Sequence, residues 1–231
     1  MKKYDPQKHH RRSIRLKGYD YRSSGAYFIT ICTQRRECVL DDPVVSGIIR
    51  DVWNVLPRWF PTVMLDEFVI MPNHVHFILW IRSVDVGAGV GASPAPTGCP
   101  GAVAPNGAGA SPAPTGCPDA VAPPDKWIIP EPQRVNLNPR VGDVVGAFQS
   151  LVFKVYFDWI RIHDPTRRAK FWQRNYYEHI VRDERELKAI REYIRRNPAK
   201  WHADRDNADN IYHLAPPTTV EEYVREAMEN A

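Results

Sequence analysis

Short segments of alternating hydrophobic and polar residues mark four predicted strands along the chain. Residues 26–33, 63–70, 74–81 and 176–181 are rich in β-branched and aromatic side chains, which is typical of strands. Only Met-Pro-Asn separates the second segment from the third. A link this short predicts that these two strands form an antiparallel hairpin.

Three longer segments place their hydrophobic residues three or four positions apart, the spacing of a helix with one buried face. The predicted helices span residues 44–56, 144–160 and 183–196. Asp183 is expected to cap the third helix and Pro198 to end it. The buried stripe of this helix is expected to consist of Leu187, Ile190 and Ile194. A further amphipathic helix is predicted over residues 219–228.

The order of these elements predicts an α+β protein. Strand, helix, strand, strand, helix, strand fits a ferredoxin-like antiparallel sheet with its helices on one face. The helix over residues 183–196 lies beyond that plan. As an appended helix with a polar face, it could bring chemistry to the sheet.

Residues 83–140 differ in composition from the rest of the chain. Gly, Ala, Pro and Ser are frequent there, and residues 89–100 recur almost verbatim as residues 107–118. Such a segment cannot bury enough surface to offset its conformational entropy. We therefore predict one domain in two halves, residues 1–82 and 141–205, separated by a disordered insertion over residues 83–140. A C-terminal tail over residues 206–231 follows.

Composition narrows the function classes only slightly. The 231 residues carry a formal net charge of +4, which permits a polyanion partner without requiring one. The four cysteines lack Cys-x-x-Cys spacing, so neither a zinc knuckle nor a disulfide framework is indicated. The sequence has no apolar run long enough to span a bilayer and no signal peptide. A cytoplasmic protein with no membrane partner is expected.

The candidate chemistry begins with a His-x-His pair at the start of the third predicted strand. Successive side chains of a strand point to opposite faces, so His74 and His76 share one face. Two imidazoles on one face can bind a single divalent metal ion. The alternative is a strand end that carries two solvated histidines.

A tyrosine and an asparagine on the last predicted helix could complete this site. Tyr193 and Asn197 are four residues apart, so they lie on one face in adjacent turns. If the helix lies across the strand that carries His74 and His76, Asn197 could ligate the metal ion through its carbonyl oxygen. Tyr193 could then attack a phosphodiester that the metal ion polarises. The alternative is that Tyr193 only packs.

Other residues compete for these roles. Tyr176 and Tyr177 are close in sequence to His179, so either tyrosine is an alternative nucleophile. On a strand, Tyr177 and His179 share a face. For His179 a contact with a metal ligand, a contact with DNA and a structural role all stay open, and it competes with Asn197 as the third metal ligand.

Two groups of residues are candidates for contact with nucleic acid. A basic arm near the N-terminus could contact phosphates or be only solvated. A second group offers a stacking surface, an amide and a charge, which suits unpaired bases, although its tryptophan could equally belong to the core. The two groups are Arg11, Arg12, Arg15 and Lys17, and Trp172, Gln173 and Arg174.

Several motifs together resemble the REP-associated tyrosine transposases, a branch of the single-tyrosine HUH nuclease superfamily used by IS200/IS605 elements. The motifs lie in residues 11–21, 25–33, 69–76, 172–182 and 193–201. Each one alone is weak, but their joint occurrence in this order is specific. The resemblance covers nearly everything except the insertion and the C-terminal tail.

The resemblance implies roles for individual residues. His74 and His76 correspond to the two metal-binding histidines of the family, and Tyr193 corresponds to its nucleophile. Asn197 stands where relatives of the insertion-sequence type have a glutamine, which is a looser match. The implied protein is a metal-dependent endonuclease and strand transferase that uses Mg²⁺ or Mn²⁺.

The resemblance also implies the substrate and the product of the reaction. Cleavage of single-stranded DNA beside a hairpin would leave a 5′-phosphotyrosine, and the protein would act as a monomer or homodimer. The alternative is a non-catalytic DNA- or RNA-binding protein of the same fold. A replication-initiator-like nickase is disfavoured because such enzymes carry further helicase or origin-binding regions.

Overall fold

The computed structural model describes residues 16, 18–83, 127–203, 207, 222 and 225. The chain divides into two compact units, residues 1–84 with 123–231, and residues 85–122. The second unit lies outside the described residues, and the predicted disorder of the insertion stays a prediction. The predicted phosphate contacts also lie outside them, namely Arg11, Arg12, Arg15 and Lys17.

Four strands form one antiparallel sheet, in the order β2-β3-β1-β4. This order is that of a ferredoxin-like fold, so the predicted α+β class is confirmed. The predicted hairpin is present as the β2–β3 pair. The strands are β1 Gly25–Cys32, β2 Val63–Met71, β3 His74–Ile81 and β4 Tyr177–Ile180, and the helices are α1 Pro43–Trp59, α2 Val141–His163 and α3 Glu184–Arg196.

The two faces of the sheet carry separate hydrophobic cores. On one face, alternate strand residues such as Val75 and Phe77 pack with α1 and α2. On the other face, Phe28 and Ile78 pack with α3. Among the three described α-helices, the two cores therefore place α3 on the face opposite α1 and α2, as the predicted appended helix requires.

Helix α1 is longer than the sequence predicts. Asp42 caps it by accepting hydrogen bonds from the backbone nitrogens of Val44 (2.8 Å) and Val45 (3.3 Å). The helix continues through Pro57 to Trp59, past the predicted end at residue 56. A proline lacks its own N–H donor, and its ring crowds the carbonyl oxygen of the residue four positions earlier. At Pro57 both effects are confined to the end of the helix.

The folded domain resumes earlier than residue 141. Trp127 is buried and packs against the core shared by α1 and α2. A Cβ atom on Gly47 would lie 3.3 Å from its indole nitrogen, so a glycine there admits the ring. The backbone nitrogen of Asn136 also donates to the carbonyl oxygen of Trp59. Residues 127–140 therefore belong to the domain and not to the insertion.

The other predicted helices are also present in the structure, with somewhat different ends. Helix α2 extends three residues beyond the predicted segment at each end. Asp183 caps α3 through the backbone nitrogen of Glu186, and the predicted buried stripe is confirmed. Of the helix predicted over residues 219–228, only Glu222 and Arg225 are described, and both are helical. Among the described residues, no helix has the length and apolar character to cross a membrane.

Candidate active site

His74 and His76 are buried side by side on the face that α3 covers. Their exposed fractions are 1% and 4%, so the alternative of two solvated histidines is wrong. Their ring centroids lie 4.5 Å apart. The Nε2 atoms face each other at 3.0 Å, which directs both of these nitrogens to one point.

Hydrogen bonds on the outer ring nitrogens hold this geometry. His74 Nδ1 lies 2.8 Å from Asn73 Oδ1, and His76 Nδ1 lies 2.8 Å from Thr30 Oγ1. The amide nitrogen of Asn73 donates to the carbonyl oxygen of Arg36 at 3.2 Å, so its oxygen is the acceptor and His74 Nδ1 donates. Partners of this kind orient histidines for metal ions.

The network assigns the proton that lies between the two rings. Since His74 donates from Nδ1, its neutral ring accepts at Nε2. In the absence of a metal ion, His76 therefore donates from Nε2, and its Nδ1 accepts from the Thr30 hydroxyl. A metal ion that took both Nε2 lone pairs would require His76 to move its proton to Nδ1, where Thr30 Oγ1 can accept it.

The electrostatic environment keeps both rings neutral. Burial, followed by the positive charge of Arg36, lowers the pKa of His74 to about 3. Burial, followed by His74 and Arg36, lowers the pKa of His76 well below its ordinary value. Metal ions bind neutral imidazole, so protons do not compete for this pair near neutral pH.

The spacing of the two nitrogens fits adjacent positions of an octahedral shell. Metal–ligand bonds of 2.0–2.1 Å at right angles put neighbouring ligand atoms about 2.9 Å apart, close to the observed 3.0 Å. Within the described residues, no cluster of three or more His, Cys, Asp or Glu side chains could hold a metal ion.

Tyr193 lies against the histidine pair. Its ring centroid is 5.4 Å from that of His76 and 6.2 Å from that of Phe28, nearly perpendicular to the latter. The buried residues Ile190 and Ile194 of α3 pack in the same core as Phe28. The helix therefore lies across the strand that carries the histidines, which is the arrangement that the nucleophile hypothesis requires.

Asn197 is buried at the C-terminal end of α3. Its exposed fraction is 5%, and its amide nitrogen donates to the carbonyl oxygen of Tyr193 at 3.4 Å. The following 3-10 helix, Pro198–Ala203, brings the Trp201 ring to 6.2 Å from that of His74. Residues on both sides of Asn197 thus contact the histidine pair, and its amide oxygen stays the candidate third ligand.

The competing tyrosines lie on opposite faces of the sheet. Tyr176 packs against the core of α1 and α2 and lines a cavity of about 470 Å³ with Tyr19, Tyr21 and Arg140. Tyr177 lies on the α3 face and pairs with Thr30, which also pairs with His76 on its other side. Of the two competing tyrosines, only Tyr177 therefore lies on the same face as the histidine pair and stays an alternative nucleophile.

His179 joins the sheet to the first turn of α3. Its Nε2 lies 2.8 Å from Glu186 Oε1, and the other carboxylate oxygen of Glu186 accepts from the backbone nitrogen of Arg182. His179 opposes Phe28, whereas His76 opposes Thr30. These contacts favour the structural role for His179 over that of third metal ligand.

Trp172 is half-buried and packs against the core of α1 and α2, and its contact with DNA stays a prediction. Its ring packs 4.7 Å from that of Phe171 and 6.1 Å from that of Phe148, on the face with α1 and α2. Gln173 and Arg174 are exposed. Contact of these two residues with DNA stays a prediction.

Ion pairs that the sequence did not reveal anchor α3 to β2. The register of the β2–β3 pair shifts between Leu65 and Phe68, which is a β-bulge. Asp66 in the bulge accepts from the Arg191 guanidinium at 3.0 and 2.6 Å and from the Trp80 indole at 2.8 Å.

A second ion pair, between Glu67 and Arg195, lies beside the first. Arg191 and Arg195 stand two residues before and two residues after Tyr193. The bulge thereby fixes the helix turn that carries the candidate nucleophile.

The Asp66 pair should contribute measurably to stability. Burial alone raises the pKa of Asp66, but the hydrogen bonds from Arg191 and Trp80 outweigh it and hold the pKa below its ordinary value. Such a carboxylate stabilises the fold above its unfolded pKa and loses that contribution as the pH falls through the folded pKa. Asp66→Asn should therefore lower the free energy of unfolding by about 2 kcal/mol at pH 7.

The measurement is urea unfolding at pH 7 and at a series of lower pH values, from the ordinary pKa of an aspartate, about 3.9, down through the lower folded pKa of Asp66. The difference between the Asp66→Asn variant and the native protein should shrink at the lower pH. Glu67→Gln is the matched control because its partner Arg195 is 63% exposed, so its effect should be smaller. Equal losses for the two variants would contradict the assigned role of Asp66.

The fold and site define an α+β protein with a buried histidine pair under a tyrosine-bearing helix. The chain belongs to the same family as an uncharacterized protein of Haemophilus influenzae. The two are 34% identical over 216 residues, which cover 87% of this chain and 96% of the relative. No protein-family model matches the chain.

Two solved structures are similar to this chain. One is a REP-associated tyrosine transposase bound to a REP hairpin, with a TM-score of 0.45 and 14% identity over 80% of this chain and 73% of that chain. The other is a putative transposase from Deinococcus radiodurans, with a TM-score of 0.35 and 17% identity over 78% and 95%.

Proposed function

We propose that this protein is a transposase of the single-tyrosine type, which cleaves and rejoins single-stranded DNA through a covalent tyrosine intermediate. The observation that carries the proposal is the contact of Tyr193 with the histidine pair. The Tyr193 ring lies 5.4 Å from that of His76, whose Nε2 faces His74 Nε2 at 3.0 Å. A nucleophile beside paired metal ligands suits phosphodiester chemistry.

His74 and His76, with Asn197 as third ligand, would hold Mg²⁺ or Mn²⁺. When bound, the ion supplies Lewis acidity toward a phosphate oxygen.

The reaction exchanges one phosphodiester for another. Tyr193 Oη forms a bond to the phosphorus and loses its proton to water, while the bond from the phosphorus to the 3′ oxygen breaks and that oxygen gains a proton. The products are a 5′-phosphotyrosine and a free 3′-hydroxyl. Because the phosphotyrosine is itself a phosphodiester, attack by a second 3′-hydroxyl can rejoin DNA without ATP.

The target is inferred from the family resemblance of the motifs. We propose single-stranded DNA beside a hairpin as the substrate, bound with the scissile phosphate over the histidine pair under α3. Gln173 and Arg174 are exposed and are proposed as DNA contacts. The second candidate function, a nucleic-acid-binding protein without turnover, would use the same fold.

The test is a covalent-trapping assay. The full chain is incubated with labelled single-stranded hairpin oligonucleotides from the sequence that flanks its own gene, with Mn²⁺ or with EDTA. The proposal expects a labelled adduct on a denaturing gel in Mn²⁺ that is absent in EDTA. A shift on a native gel without any adduct, across many hairpins, would favour the binding protein and overturn the proposed reaction.

A further inference from the structure

Two consecutive arginines beside the site have an unusual backbone conformation. Arg35 and Arg36, in the turn after β1, both have φ of +58°. Side chains other than glycine disfavour this left-handed region by roughly 1–2 kcal/mol per residue. Conformations of this kind persist where the surroundings enforce them, and they cluster at functional sites.

The surroundings that enforce this turn are those of His74. The backbone nitrogen of Arg36 donates to the carbonyl oxygen of Thr33 at 3.3 Å, and the backbone nitrogen of Thr33 donates to the carbonyl oxygen of Asn73 at 2.8 Å. The amide of Asn73 bonds both the carbonyl oxygen of Arg36 and the ring of His74. One amide thus fixes the positions of Arg36 and His74 together.

The guanidinium of Arg36 lies on the same side of the sheet as the histidines. Its Nη1 atom is 2.8 Å from Cys32 Sγ, and Cys32 pairs directly with His74 across the β1–β3 ladder. The charge is close enough to lower the pKa of both His74 and His76, after burial. A permanent positive charge therefore lies beside the two candidate metal ligands.

This charge opposes the binding of a metal cation. A guanidinium is always protonated, and it repels any cation held by His74 and His76. An anion that lies beside both positive groups removes this repulsion. A DNA phosphate is such an anion, and guanidinium groups bind phosphate oxygens with two parallel hydrogen bonds.

We propose that Arg36 is a catalytic residue that binds a non-bridging oxygen of the scissile phosphate beside the histidine pair. This inference rests on the proposed function. The donor neutralises the charge that develops on the phosphate oxygens as Tyr193 attacks, an effect of fixed donors in sites from which water is excluded. The Asn73 amide holds the strained backbone of Arg36, and the contact with Cys32 Sγ holds its guanidinium, both in advance of DNA binding.

The experiment compares Arg36→Gln with Arg35→Gln. Arg35 has the same φ and a neighbouring position, but its side chain is exposed, so it controls for the backbone and for net charge. Single-turnover adduct formation with a labelled hairpin oligonucleotide and Mn²⁺ should slow about 100-fold in Arg36→Gln. It should change less than about threefold in Arg35→Gln, since exposed charges act weakly.

Two binding measurements give the inference a readout that a structural role would not produce. In EDTA, the salt dependence of hairpin binding should lose about one unit of slope in Arg36→Gln, as expected for one lost phosphate contact. The affinity of the DNA-free protein for Mn²⁺, measured by calorimetry, should stay equal or increase in Arg36→Gln, because a repelling charge is removed. A structural role would instead weaken Mn²⁺ binding and slow adduct formation together.

The outcomes test the role of Arg36 separately from the proposed strand-transfer reaction. If the wild-type protein forms no adduct, the proposed reaction fails, while the salt slope still decides whether Arg36 contacts phosphate. Equal slopes in the wild type and Arg36→Gln overturn the phosphate contact. Weaker Mn²⁺ binding in Arg36→Gln, or equal adduct rates in the two variants, also overturns the proposal.

Discussion

Tyr193→Phe should abolish covalent adduct formation with hairpin DNA while leaving DNA binding within about twofold of the wild type, since the DNA contacts stay intact. Phenylalanine retains the ring that packs 5.4 Å from His76 and 6.2 Å from Phe28, and it removes only the hydroxyl. A phosphotyrosine needs that oxygen, so no other property of the site can compensate for its loss. The measurement is the denaturing-gel assay beside a native-gel titration with the same oligonucleotide.

Tyr177→Phe is the matched control for this prediction. Tyr177 lies on the same face and opposes Thr30, the residue that also opposes His76. Its ring contacts Phe28 at 6.2 Å, the same distance as that of Tyr193. Adduct formation should persist in Tyr177→Phe. An adduct that persists in Tyr193→Phe and disappears in Tyr177→Phe would transfer the nucleophile to Tyr177.

Local patterns were enough to predict the elements and the histidine pair. A period of two residues places His74 and His76 on one face of a strand whatever the rest of the chain does. The helical period likewise marks Leu187, Ile190 and Ile194 as the buried side of α3, as observed. These properties depend on residues close in sequence, so the sequence alone decides them.

The contact between α3 and the histidine pair could not be predicted from local sequence patterns. A buried stripe shows that a helix packs, but not against which face or strand. The small core that includes Phe28, Ile78 and Ile190 decides this, and it joins residues more than one hundred positions apart. Spacing therefore left open whether Tyr193 reaches the pair, and the family resemblance supplied that expectation.

The residues that hold the histidines and α3 in place are only weakly marked in the sequence, or not at all. Asn73 stands directly before His74, and Thr30 shares one face of β1 with Phe28 and Cys32. Their positions beside the histidine face could therefore have been found from strand register. The bulge that presents Asp66 to α3 has no such signal, because one extra residue in a strand leaves the hydrophobic pattern nearly unchanged.

Replacing either histidine should remove metal binding. His74→Ala and His76→Ala each delete one of the two Nε2 atoms that lie 3.0 Å apart, and the remaining imidazole should hold a divalent ion much more weakly than the pair. The affinity for Mn²⁺, measured by calorimetry on the DNA-free protein, should fall more than about 100-fold, beyond the 10- to 100-fold cost of losing an outer partner. Metal-dependent adduct formation should be lost with it.

Two further variants should have smaller effects on Mn²⁺ affinity. Thr30→Val removes the hydroxyl that orients His76 and should weaken Mn²⁺ binding about tenfold. His163→Ala should have no effect, because His163 is exposed on α2 and stacks on Trp159. Thermal unfolding of each variant separates loss of the site from loss of the fold. Unchanged Mn²⁺ affinity in both His74→Ala and His76→Ala would eliminate the proposed metal site.

The pH dependence of metal binding should distinguish this pair from exposed histidines. Burial and the charge of Arg36 hold the pKa of His74 at about 3, and burial, His74 and Arg36 hold that of His76 well below its ordinary value. An ordinary imidazole, with a pKa of about 6.5, becomes largely protonated between pH 8 and pH 6 and loses metal affinity over that range. The Mn²⁺ affinity of this protein should change less than about twofold there, because no proton has to leave. A tenfold loss between pH 8 and pH 6 would show that at least one ring titrates near neutrality, and with it that the pair is more open to water than its burial indicates.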